Sequence, residues 1–198
     1  MPRRPEQFEE IREKSREKIL SAALELFANK GYDSTSIDSI AKKAGISKGL
    51  IYNYYESKRS ILIAIFEDVI GEGEKMVAKQ KQIKDPLVRT RGMIEMVFDM
   101  MNNNPEYLKL LMVISLQPGV MEETKDFSAE MYRRNQEMVS SIYSKGDKKD
   151  RIKGLMLDAL IDGIMLNHIR YGKEYPVNAL KERIIKDYCF PAKKSNKK

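Results

Sequence analysis

Apolar residues recur along this chain at intervals of three and four. Ile19, Ala22, Ala23, Leu26 and Phe27 form one such stripe, the spacing of a helix with a single buried face. The run Asn29-Lys30-Gly31-Tyr32 ends it: a lysine suits the last turn, and glycine suits the left-handed residue just beyond. Thr35-Ser36-Ile37-Asp38 reads as a capping box, in which the Thr35 hydroxyl accepts near Asp38 and Asp38 answers. A short helix through Ala44 is predicted to follow. Gly45 breaks it, Ser47 caps a third helix running to about Tyr55, and Ser57 caps a longer fourth. Further helices are predicted near 58–82, 86–102, 105–116, 125–144, 150–172 and 177–189. Their separators, "KDP", "NNNP", "QPGVMEE", "SKGDKKD" and "GKEYP", are rich in helix breakers. Strand alternation is scarce, so the expected class is all-α: a three-helix head joined without a flexible linker to a larger helical body.

The head carries the sharpest signal. Ile37, Ile40, Ala41 and Ala44 give its second helix a buried face, Ile46 is expected buried in the turn, and Ile51 lies inward on the third helix. Two short helices crossing over a glycine turn form a helix-turn-helix. In that unit the second helix enters the major groove of DNA, its N-terminal residues nearest the base edges. Lys48, Gly49, Leu50, Tyr52 and Tyr54 then face outward or flank the outward side, which explains why three of the ten tyrosines crowd into Ala44–Lys58. Tyr55 is expected to pack the head's small core instead. Backbone N–H groups at the helix starts near Thr35, Ser47 and Ser57 are candidate anion sites. Lys58 opens the fourth helix, where a cation opposes the helix dipole unless an anion lies before it.

Charge sharpens this reading. The 198 residues carry a net charge of +7. Residues 1–60 hold 12 Lys/Arg against 9 Asp/Glu, residues 61–192 hold 20 against 20, and "KKSNKK" at 193–198 adds four lysines. A basic head on a neutral body suits a polyanionic partner, while the tail reads as a basic disordered end. Arg3 and Arg4 in the "PRRPE" arm either reach an adjacent groove or belong to a free terminus. One cysteine, Cys189, excludes an internal disulfide and fits a reducing compartment. No apolar run approaches the ~20 residues of a membrane helix, and the N-terminus lacks a signal-like apolar segment. A cytoplasmic protein is expected.

From about Arg16 to Leu62, the residues "ILSAALELFANKGYDSTSIDSIAKKAGISKGLIYNYYESKRSIL" resemble the DNA-binding head of the tetracycline-repressor (TetR) family. Its pattern has an alanine-rich amphipathic helix ending in Phe, then Gly-Tyr/Phe, Thr-Ser/Thr, Ile-Ala, Ala-Gly-Val/Ile-Ser, Gly, and Tyr-x-x-Phe/Tyr with Lys three residues on. Leu50 stands where Thr, Ala or Ser is more usual and Tyr54 where His is frequent, so a different preferred operator is implied. The resemblance places Thr35, Ser36, Ser47, Lys48, Gly49, Leu50, Tyr52, Tyr54 and Lys58 on operator-contacting positions. Lys48 and Leu50 are expected nearest the bases and the rest mainly on phosphates. The implied domains are a DNA-binding head (1–57), an effector-binding and dimerisation body (58–192) and the tail (193–198).

The body is read in two parts. The segment 151–171 is apolar on nearly every side, and a helix apolar all round is buried all round. One copy of a chain this size covers one face, leaving a second copy to cover the other. Gly154, Ala159 and Gly163 allow close approach. By resemblance, helices 150–172 and 177–189 pair across a two-fold axis into a homodimer reading a palindromic double-stranded operator. Ten of the twelve methionines fall between Met93 and Met165, either filling an irregular core or lining an adaptable pocket. The family's bodies enclose a mainly apolar pocket for a small effector. The candidates here are Met93, Met96, Met100 and Met112, with Tyr132, Gln136, Asn167 and His168 to orient a ligand. Gly71 and Gly73 weaken the head-to-body helix and are candidate bending points. No metal-ligand spacing, phosphate loop or nucleophile elbow selects an enzyme or a cofactor. The remaining alternative is a helical small-molecule carrier or interaction module that keeps the head for structure only.

Overall fold

The computed structural model describes residues 5–142 and 148–189. The basic arm at Arg3 and Arg4 and the tail at 193–198 lie outside the described residues. The described chain is helical, with no strand among its described residues. Helix α1 runs over Pro5–Lys30, α2 over Ile37–Ala44, α3 over Lys48–Tyr52 and α4 over Lys58–Lys81. They are followed by α5 (Pro86–Asn103), α6 (Pro105–Ser115), α7 (Pro118–Glu123), α8 (Lys125–Ile142), α9 (Lys148–Tyr171) and α10 (Val177–Cys189). A single 3-10 turn, Gly172–Glu174, joins the last two.

The helix stops follow the expected chemistry. Gly31 adopts φ 88° and Gly45 φ 68°, left-handed values that glycine takes without a Cβ penalty. At Gly45 the Ile46 N–H reaches back to the Ala41 carbonyl at 3.1 Å, closing the helix end with a six-to-one bond.

Four local expectations are corrected. The capping box of α2 belongs to Ser36 and Ser39, whose side chains bond each other's backbone N–H at 3.2 and 3.1 Å. Thr35 is one residue too early, and its hydroxyl turns inward to donate to the Gly31 carbonyl at 2.8 Å. Ile46 is half-exposed in the turn rather than buried. Helix α3 stops at Tyr52, because the chain tightens there through Asn53 N–H to Leu50 O at 3.2 Å. Finally, the "QPGVMEE" separator contains α7, opened by a proline at the first turn, where its missing N–H costs nothing.

Two compact units divide the chain: residues 1–72 with 107–127, and residues 73–106 with 128–198. The division of α4 falls between Gly71 and Gly73. The first unit thus takes in α6 and α7 with the three-helix head. Its core holds Ile19, Ala23, Phe27, Ile40, Ile51, Ile61, Leu62 and Ile114, all fully buried, and each large side chain contributes ~1.5–3 kcal/mol by leaving water. Within it α1 packs on α2 and α2 on α3.

The second unit is built on α10, which packs against α5 and α9 and buries Val177, Ile184, Ile185, Tyr188 and Cys189. Its outward side is polar, with Arg183 paired to Asp187 at 2.6 Å. Helix α9 buries Leu157 and Ile164 but leaves Ile152, Met156, Leu160 and Leu166 between 43% and 58% exposed. Ile152, Met156, Ala159, Gly163 and Leu166 follow a four-three-four-three spacing, one continuous stripe along the helix. At Gly163 an added Cβ meets nothing. A single copy of the chain therefore leaves this stripe open.

Candidate nucleic-acid interface

Helix α3 is presented by its neighbours rather than by its own length. Ser47 caps it by accepting the Leu50 N–H at 3.1 Å. Ile51 is fully buried and anchors the inner side. Lys48, Gly49 and Tyr52 are exposed, and Leu50 and Tyr54 are half-exposed. The outward surface expected of this helix is thus open to solvent. Gly49 faces open space, since an added Cβ meets no atom within 4 Å. Only an outside partner can approach its backbone. Ser36 and Ser47 lie exposed at the starts of α2 and α3.

Lys48 is held over the turn by Asp38, 3.0 Å away, which draws its ammonium pKa up by hydrogen bonding and charge. Both groups are at least half exposed, so this pair is weak and open to exchange for another anion. Tyr54 lies beside Tyr55, ring centroids 6.4 Å apart, with the Arg12 guanidinium 6.0 Å above its ring. Tyr55 is buried in the head as expected, and that burial pushes its phenol pKa up.

Two predicted contact residues stand elsewhere. Thr35 is 2% exposed, and its hydroxyl and N–H are both spent on internal carbonyls. It holds the α1–α2 corner and presents no side chain outward. Lys58 finds an acceptor within the protein: its ammonium donates to the Tyr32 carbonyl at 2.7 Å and lies 4.2 Å over the Tyr32 ring. Its ammonium is thus engaged on backbone carbonyls at the corner.

The same corner is gripped from a distance. Gln117, between α6 and α7, accepts the Tyr32 N–H at 2.8 Å and donates to the Phe27 carbonyl at 2.8 Å. Arg59 donates to the Glu123 carbonyl at 3.0 Å. Arg16 on α1 is paired with Asp68 on α4, a charge-assisted bond that holds the guanidinium pKa above its ordinary value. Tyr32, 3% exposed, has its phenol pKa pushed up to about 12, chiefly by burial. None of these partners carries a motif; their sequence separations, 85 and 90 residues for Gln117, hid them.

The predicted effector residues are distributed over both units. Met93, Met96 and Met100 are half-buried on α5 and Met112 is half-buried on α6, which belongs to the first unit. Tyr132 is exposed. Asn167 donates weakly to the Tyr175 hydroxyl at 3.4 Å, and the His168 Nδ1 is buried without a partner. The side chain of Gln136 lies outside the described residues. A groove of about 490 Å³ on the second unit is lined by Ile83, Leu87, Val88, Arg91, Glu95 and Cys189 and includes none of these candidates.

Comparison with known proteins agrees with this geometry. Residues 19–65 match the family model described as bacterial regulatory proteins, tetR family. A fatty acid metabolism regulator protein of Bacillus subtilis is 38% identical over 72 residues, 32% of this chain and 37% of that protein. The first curated relatives are thus matched over less than two fifths of their own length, 37% and 38%. Solved structures extend the likeness of fold to nearly the whole chain. A putative fatty acid metabolism regulator of Clostridium perfringens superposes with a TM-score of 0.71 at 20% identity, covering 87% of this chain and 96% of that one. FadR from Bacillus subtilis, in complex with stearoyl-CoA, gives 0.70 at 21% identity, with coverages of 87% and 97%. Residues 19–65 thus match the tetR family of bacterial regulatory proteins in sequence, and the chain shares the fold of these solved regulators.

Proposed function

We propose that this protein is a transcriptional regulator, acting as a repressor, that binds a palindromic DNA operator as a homodimer and is released by a small apolar or amphipathic effector. The observation that carries the reading is the outward side of α3: Ile51 is buried while Lys48, Gly49 and Tyr52 stand in solvent. Lys48 and Leu50 sit where base edges are read. Ser36, Ser47, Tyr52 and Tyr54 suit phosphates, which fix register without choosing sequence. Thr35 and Lys58 act through the corner they hold. A Lys48 released from Asp38 by a phosphate loses a weak surface pair and gains a counterion-releasing contact.

The homodimer forms on the open α9 stripe, flanked by α10. It sets two heads about one turn of DNA apart, ~34 Å. The effector occupies the second unit, and α4, weakened at Gly71 and Gly73, carries its influence to the head. The neighbours named as fatty acid regulators support an effector with a long apolar part. A carrier that kept the head only as scaffold gives no reason for an intact polar face around α3.

A gel-shift with duplex fragments from upstream of the protein's own gene tests the reading. A retarded band that competitor of the same sequence abolishes, and random duplex does not, is expected. Uniform weak binding to every fragment overturns it.

A further inference from the structure

Helix α5 presents three longitudinal faces. Thr90, Ile94, Phe98 and Met101 are buried in the core. Leu87, Val88, Arg91 and Glu95 line the groove that Cys189 closes. The third face carries Arg89, Met93, Met96 and Met100, at four-three-four spacing and therefore one above another. All four are half-buried.

The two arginines of this helix differ in their partners. Arg91 donates from Nε to Glu95 at 2.8 Å. Arg89 has its Nε buried with no acceptor. A guanidinium keeps its charge under all ordinary conditions, so withdrawing its N–H from water without a partner is uncompensated. The Asp85 carboxylate caps the start of α5 by accepting the Leu87 N–H at 2.8 Å, so the deficit lies at Arg89 itself. The site is thus cationic and short of an acceptor at one end. It is apolar and adaptable along the rest, as a row of methionines is.

We propose that this face binds an amphipathic anion, its carboxylate or phosphate head on Arg89 and its alkyl chain along Met93, Met96 and Met100. The inference rests on the reading of the second unit as effector-binding and narrows the effector by its charge. From Arg89 to Met100 the helix rises ~16 Å, room for a medium-length alkyl chain laid along it. The planar fork of the guanidinium matches either head group with two parallel hydrogen bonds. A cationic amphiphile of equal length meets repulsion at the same point, and a neutral alcohol leaves the guanidinium unsatisfied.

Titration calorimetry on the full chain, without DNA, compares four dodecyl compounds below their micelle concentrations: dodecanoate, dodecyl phosphate, dodecanol and dodecyltrimethylammonium. Dodecanoate or dodecyl phosphate, or both, is expected to bind at least about tenfold tighter than dodecanol, with the cation weakest. The better of the two anions tells a free acid from a phosphate ester. Arg89→Gln should bring the anions down to the dodecanol level while dodecanol itself is unchanged, and Arg89→Lys should keep part of the preference. Equal binding of anion and alcohol by the wild-type protein overturns the proposal, as does no binding at all. Neither of these outcomes requires a variant that folds. An anion preference that survives Arg89→Gln overturns it too. A gel-shift on the same preparations reads DNA binding separately, so a failed operator and a failed anion site are told apart.

Discussion

The side chain of Gln117 closes both open ends of one corner: its carbonyl takes the Tyr32 N–H and its amide answers the Phe27 carbonyl, each at 2.8 Å. Phe27 belongs to the last turn of α1, and its carbonyl also accepts the Gly31 N–H at 3.1 Å. Replacing Gln117 with Ala strands the Tyr32 N–H in a part-buried place, a loss of about 1–3 kcal/mol. Gln117→Glu should do no better at neutral pH, because a carboxylate then faces the Phe27 carbonyl. Urea unfolding checks this as a lowered midpoint at unchanged slope.

Lys48 and Lys58 should fail in different ways when changed to Ala. Lys48 is exposed and only weakly paired with Asp38. Its loss should leave the melting temperature unmoved and reduce the salt slope of operator binding by about 1. Lys58 is tied to the Tyr32 carbonyl and ring, so Lys58→Ala should lower the melting temperature by a few degrees. Thermal melts paired with gel-shifts across a salt series separate the two.

Much of this was legible beforehand, and the reasons are physical. Periodicity and punctuation are local, so Gly31, Gly45, Ser47, Ser57 and the six later helices could be placed from neighbours in sequence. The inward and outward sides of α3 were read from Ile46 and Ile51, and of the two only Ile51 is buried. What escaped was non-local or finely tuned. Thr35 and Ser36 are both good caps, and only the turn of Thr35 toward Gly31 decides between them. Nothing near Gln117 announces that its amide reads a backbone 85 residues away. The short α7 hid inside a Pro-Gly stretch that reads as a connector.

The open stripe of α9 gives a test of assembly. Met156→Glu together with Leu160→Glu places charge on residues 58% and 45% exposed, at little cost to a lone chain. In the proposed dimer each of these side chains contributes ~1.5–3 kcal/mol by burial. The double variant should weaken association at least about a hundredfold. Sedimentation should then find monomer where the wild type is dimeric, and operator binding should weaken with it.

Asp162 makes stability depend on pH. Asp162 is open to solvent on one side, yet partial desolvation first, and Asp158 second, push its carboxyl pKa above the ordinary value. The folded chain therefore holds this proton more tightly than the unfolded chain, and stability falls as pH rises through the window just above the usual carboxylate range. Asp162→Asn should flatten that part of the profile and raise stability at neutral pH. Melting temperatures in buffers from mildly acidic to neutral read both effects.

Five residues form α3, far fewer than the ~12–15 at which a free peptide begins to hold helical shape in water. A synthetic copy of Lys48–Tyr52 should therefore be shapeless and a poor competitor for any duplex. The same brevity separates two kinds of inheritance. Apart from its cap Ser47 and its buried anchor Ile51, the residues that keep the segment folded sit in other helices, so its few outward side chains are free to be exchanged in a descendant, redirecting the protein to a new stretch of genome while the scaffold stays as it is.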